Sequence, residues 1–307
     1  MVTVWARAVI AAFLLVVGLA SMPVKADPAK VNISVYVLSL GKLDLDRATV
    51  PADFYLTFDC AGDKCPPFDF EVMNGRISGS SKVEDLPNRK MYRIYADLRP
   101  TIDLRKFPFD RQTISIVIED KGLEKDDLVY VADVKKTGLD DDIALPGWTL
   151  GQWTTTVADH DYDVLGEAYS RYTFAVEASK PLLNAFLKTL MPIVFIFLIV
   201  TFSYVIPVEK TDNRLSAATA SLIGSVMFHV AITNQNPPLG YMTFADKIML
   251  IVYGFLFLTI AYNVFVYELV QRKQEDRARA VHQSVRFKVI VGAPLTFALL
   301  FWFLRQF

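Results

Sequence analysis

The sequence predicts an α+β membrane protein, an extracellular antiparallel β-sandwich followed by a four-helix transmembrane bundle. Three observations predict it. An apolar run, Ala8 to Ala20, follows Arg7 at the N-terminus; short β-rich segments fill Val31 to Ser179; long apolar stretches fill the rest. The expected organisation is a signal peptide over 1–26, a sensing sandwich over 27–180 and a membrane domain over 181–307.

The leader has a cation, an apolar core and small residues before Asp27, which is the pattern of a secretory signal peptide cleaved after Val24-Lys25-Ala26. The alternative is an uncleaved anchor, for which the core is short against the roughly 20 residues a span needs. An exported chain allows Cys60 and Cys65, in "CAGDKC", to form a disulfide that clips a small loop.

The segments "ISVYVLSL", "DFYLTFDC", "MYRIYADL", "TISIVIED", "LVYVADV", "WTLGQWTTTV" and "SRYTFAVEA" are rich in Val, Ile, Tyr, Phe and Thr and are separated by turn formers. This is the signature of a sandwich. Past Lys180 the spans are read at 182–206, 214–235, 246–270 and 287–304. Pro192 is expected to kink or unwind the first. The loop between spans three and four carries Arg272, Lys273, Arg277, Arg279, Arg286 and Lys288 against Glu275 and Asp276, so it is placed in the cytoplasm and the sandwich and C-terminus outside.

The second span is rich in small and hydroxyl residues. Steps of four and three from Ser216 align Ala220, Ile223, Met227, Val230 and Asn234 on one face. Close helix packing is one reading. A water-lining face is the other, in which several copies enclose a path closed by apolar rings. Asp212 at the inner end either caps the helix or forms a cation-concentrating ring, with Lys210 and Arg214 nearby.

With a sandwich, four spans and a polar second span in hand, "FPFDRQ" (107–112) resembles the signature loop of the pentameric ligand-gated ion channels, the Cys-loop receptor superfamily, and their prokaryotic branch in particular. "GWTLGQW", Pro192 and "NPPLGYMTFAD" (236–246) extend the resemblance over nearly the whole mature chain. It implies a homopentamer in a bacterial inner membrane, embedded in lipid, and Asp212 leans its selectivity toward monovalent cations against Lys210 and Arg214 nearby. It also implies that Phe107, Pro108, Phe109 and Asp110 press on the membrane domain. Asp110 would meet Lys180, Asp44 or Asp46 would supply a second acid, and Pro238 and Tyr241 would lie on the receiving link.

There are departures. Pro100 and Ile114 stand where animal receptors carry the loop cysteines, and Lys180 replaces the usual arginine. The loop "EDKGLEKDDLVY" lacks the aromatic expected for an amine site, although His160, Tyr162, Tyr169 and Tyr172 are available on a hairpin, as ligand contacts or as sheet facing. Abundant Asp residues and His229 make protons an alternative agonist to an unknown small ligand. A non-conducting scaffold of the same fold is the competing reading. No nucleophile with its base, metal set or phosphate loop appears, so no enzyme, cofactor or metal centre is expected. A formal charge of −1 gives no electrostatic case for nucleic acid.

Overall fold

The computed structural model describes residues 27–306; the predicted signal peptide lies outside the described residues. Ten strands come first: β1 (Ala29–Leu40), β2 (Val50–Cys60), β3 (Phe70–Val72), β4 (Gly75–Leu86), β5 (Arg89–Leu98), β6 (Arg111–Asp120), β7 (Leu128–Ala132), β8 (Gly138–Leu139), β9 (Thr149–Tyr162) and β10 (Glu167–Ser179). One sheet runs β4-β5-β2-β1-β7, with β8 also on β1, and the other runs β3-β6-β10-β9. Pairing is antiparallel except where β7 and β8 lie parallel to β1.

The period-2 pattern of the sequence becomes the core. Val31, Ile33, Val35 and Val37 of β1 point inward beside Phe54, Leu56 and Phe58 of β2, against Ile114, Ile116 and Ile118 of β6 and Phe174 and Val176 of β10. Strand β4 has no such pattern. Its residues "GRISGSSKVEDL" are largely exposed, and it pairs with β5 alone, as a polar edge strand does. Cys60 and Cys65 are joined in a disulfide.

Strands end at Ser179 and helices begin at Leu182. The first span comprises α1 (Leu182–Ala185), a π-helical turn at Phe186–Leu190 and α2 (Met191–Ser203). Pro192 sits at the start of α2, directly after the π turn, so the continuous helix changes its hydrogen-bond spacing just before the proline, which is the expected local unwinding. After a short 3₁₀ turn come α3 (Thr211–Thr233), α4 (Phe244–Gln271) and α5 (Glu275–Gln306). The four spans are long and apolar enough to cross a membrane. The basic stretch read as a loop is instead mostly helix. Only Arg272–Gln274 separate α4 from α5, because Glu, Arg, Ala and Gln are good helix formers and extend α5 beyond its apolar part.

Candidate functional site

Helix α3 buries one narrow face, Thr211, Arg214, Ala218, Ser221, Ser225 and Ile232, against its own bundle. The opposite face is open. Ser216, Ala220, Ile223, Met227, Val230 and Asn234 are all exposed, Ile223 to 58%, Met227 to 69% and Val230 to 54%. Asp212 extends this stripe by one turn and is exposed, with Thr219 and Gly224 beside it. The open faces of neighbouring helices differ in kind: Phe195, Ile199 and Phe202 on α2, Phe257 and Leu258 on α4, and Leu295 and Leu299 on α5 are large and apolar, as lipid requires. A face that alternates small, hydroxyl and apolar groups suits water on one side of it.

Arg214 departs from the sequence expectation of a cation beside Asp212. Two residues turn a helix by about 200°, so Arg214 points away from Asp212, into the bundle, with none of its surface exposed.

Higher on α3, His229 bridges to α4. Its Nε2 is 3.0 Å from Asp246 Oδ1 and its Nδ1 3.0 Å from the Tyr253 hydroxyl. A carboxylate only accepts, so Nε2 carries the proton and Nδ1 accepts from Tyr253. Asp246 also accepts from the Thr243 N–H at 2.8 Å, closing a capping box on α4.

The turn Phe107–Asp110 belongs to the helices more than to the sheets. Leu104 and Phe107 are buried in the cluster of Leu190, Ile193, Ile232, Phe244 and Ile248, Pro108 is buried, and the Phe109 and Phe244 rings lie 6.0 Å apart. The free N–H groups at the start of α4 find partners here: Phe244 donates to the Arg105 carbonyl at 2.8 Å and Ala245 to that of Phe107 at 3.1 Å. From the link before α4, Tyr241 accepts the Leu104 N–H at 2.9 Å, while Pro238 is exposed.

Asp110 and Lys180 meet, at 3.7 Å. Asp110 is 1% exposed, and among the described residues neither carboxylate oxygen has a partner at hydrogen-bond distance. Burial raises the Asp110 pKa, with Lys180 opposing, and burial lowers that of Lys180, with Asp110 opposing. Each group is thus drawn toward its neutral form. The ammonium has aromatic company, 4.4 Å from the Phe107 ring centroid and 5.2 Å from that of Trp148. Trp148, from "GWTLGQW", had no assigned role in the sequence.

Among the described residues, neither Asp44 nor Asp46 forms an ion pair with Lys180. Asp44 accepts from the N–H groups of Asp46 and Arg47, both at 3.0 Å, and so stabilises its own turn, while Asp46 is exposed. Such local bonding is what a short carboxylate in a turn does best. That turn instead borders a cleft of about 690 Å³ shared with Arg76, Arg99 and Gln235 at the outer end of α3.

On the β9–β10 hairpin, His160, Tyr162 and Tyr169 form a row, with ring centroids 4.5 and 5.8 Å apart. The buried Glu119 of β6 organises it: Tyr162 donates to Oε2 at 2.9 Å, Arg171 binds Oε1 and His160 Nδ1 lies 3.5 Å from Oε1. Burial, then Glu119, raises the Tyr162 pKa. Tyr172 is apart from this row, fully buried in the core beside Thr137, because it falls on the inward side of β10. Glu119 and Arg171 escaped the sequence reading; a charge at the end of the apolar run "SIVIE" was the available signal.

No family model matches the chain. It is 21% identical over 302 residues to a proton-gated ion channel of Gloeobacter violaceus, covering 90% of this chain and 82% of that protein. It is 24% identical over 200 residues to pH-sensitive chloride channel 2 of Anopheles gambiae, covering 62% of this chain and 32% of the other. It is 22% identical over 198 residues to gamma-aminobutyric acid receptor subunit beta-4 of Gallus gallus, covering 61% and 40%.

Proposed function

We propose that this chain, which belongs to the pentameric ligand-gated ion channel family, forms a homopentameric cation channel opened by protons acting on its sheet domain and the adjoining helix ends. The relatives are ion channels and receptor subunits, a non-enzymatic family.

The stripe Ser216–Ala220–Ile223–Met227–Val230–Asn234 carries the pore reading. It is exposed in one subunit, mixed in polarity and set on the far side of α3 from its own bundle. Five such faces around an axis would enclose a path whose Ile223 and Met227 rings close it by dewetting. One relative is named a chloride channel, so the sign of the permeant ion has to be argued from this chain. Asp212 is exposed at the end of the stripe and Arg214 is turned away, which favours cations.

Protons as agonist draw support from two relatives named for proton or pH response and from two places here. Asp110 has a raised pKa, so acid neutralises it before an ordinary exposed carboxylate and leaves Lys180 without its counter-charge. A proton on His229 Nδ1 would turn that atom from acceptor to donor. The Tyr253 hydroxyl would then have to swing wholly toward the Ser225 carbonyl, now 3.4 Å away, re-forming the contact between α3 and α4. Positive charge at the α4–α5 turn supports a cytoplasmic location for that end and a periplasmic one for the sheets, in a bacterial inner membrane.

An acid step applied to the sheet-domain side, under a sodium chloride gradient, tests this. The expected current reverses near the sodium potential and shrinks in His229→Asn. Reversal near the chloride potential would refute cation selectivity, and acid-insensitive current would refute the agonist.

A further inference from the structure

Arg214 is among the largest fully buried side chains in the chain, yet among the described residues it forms no ion pair, and none of its three side-chain nitrogens has a hydrogen-bond partner. What it has is two rings. The guanidinium carbon lies 5.4 Å from the Tyr204 ring centroid and 5.3 Å from that of Tyr262, and those rings stack on each other at 5.3 Å and 22°. Both rings are pinned by their hydroxyls: Tyr204 donates to Thr259 Oγ1 at 3.3 Å, and Tyr262 meets His282 Nδ1 at 3.1 Å. Residues from the end of the first span, α3, α4 and α5 therefore converge on one cation.

A cation in the first turn of a helix opposes the helix dipole. A buried guanidinium without partners is costly unless something in the bundle receives it. Aromatic faces do so without bringing an acid near. Residues two apart on a helix face different ways. The cage thus fixes Arg214 on the side of α3 opposite Asp212.

We infer that Tyr204 and Tyr262 are specificity-determining positioning residues: they hold the Arg214 charge out of the ion path, so that Asp212 is not neutralised from its own helix. This rests on the cation-channel reading above. With one ring gone, the long arginine stem lets the guanidinium leave the bundle and reach water at the nearby end of α3, which is the inner mouth.

Two measurements test it. Cys60 and Cys65 are bonded to each other and are the sole cysteines, so Arg214→Cys introduces a single free thiol. In purified folded protein that thiol should resist a charged aqueous thiol reagent, and should react at least tenfold faster once Tyr262→Leu or Tyr204→Leu is added. Prompt labelling without either change overturns the cage, whether or not any current is seen. In conducting Ile223→Ala channels, Tyr262→Leu should move the reversal potential toward the anion potential. Tyr262→Phe, which keeps the ring, should not, and adding Arg214→Gln to Tyr262→Leu should restore the original value. An unmoved reversal potential in Tyr262→Leu, or a shift that survives Arg214→Gln, overturns the inference. A parent channel already reversing at the anion potential refutes the cation reading instead.

Discussion

Lys180 lies 3.7 Å from Asp110, too far for a hydrogen bond and near enough that neither charge is indifferent to the other. Removing one member of such a pair strands the other in a desolvated place, which for well-buried pairs costs about 3–5 kcal/mol; the longer separation here argues for about 1–3 kcal/mol. Lys180→Met, which strands the buried Asp110 carboxylate, should lower thermal stability, and adding Asp110→Asn should recover part of that loss. The pH dependence has a definite sign. The folded-state pKa of Asp110 is raised, so the folded form binds the proton more tightly than the unfolded chain does. Its ionised form weighs against folding at neutral pH, and that cost is relieved as the pH falls through the raised value toward about 4. Wild type should therefore gain stability relative to Asp110→Asn over that interval, as read by melting at both ends of it; a constant difference would contradict the burial argument. Asp110 and Lys180 could be paired from "FPFD" and its resemblance. Asp44 could not be excluded that way, because nothing in the sequence says that a turn carboxylate is occupied by its own backbone.

The decisive joint between elements is where the signature turn caps α4. Helix N-termini leave N–H groups unsatisfied. Here the carbonyls of Arg105 and Phe107 take two of them, while across the first turn of α4 the Thr243 hydroxyl accepts the Asp246 N–H and the Asp246 carboxylate accepts the Thr243 N–H. A displacement of the sheet domain therefore pulls on the backbone of α4 as well as on side chains. Thr243→Ala removes the side-chain acceptor and should cost about 1 kcal/mol of stability, measured by thermal unfolding. It also frees Asp246 from one of its partners, so the His229 contact should tighten or shift. Spans with apolar runs were legible from hydropathy, and strands with period-2 burial from composition. Strand β4 was not, because an exposed edge strand has no buried face to impose alternation. The polar start of α5 was hidden too, since a charged helical extension and a charged loop share one composition.

At the scale of the whole molecule, the chain divides its open surface by chemistry. Large apolar side chains are exposed on α2, α4 and α5, as contact with lipid would require, and α3 presents the mixed face. That division was visible in the sequence as a stripe, and the same six positions are exposed in the single chain. The direction of Arg214 was not visible, since it depends on two tyrosines, 10 residues before it and 48 after it, that meet only in the folded bundle. The gate itself is the central claim, and membrane current from surface-expressed wild type and Ile223→Ala tests it most directly. Cutting Ile223 back to a methyl should rewet the apolar ring and give a standing current without acid, where wild type stays closed. An assembled Ile223→Ala channel as silent as wild type at neutral pH would contradict the assignment of this face to the pore.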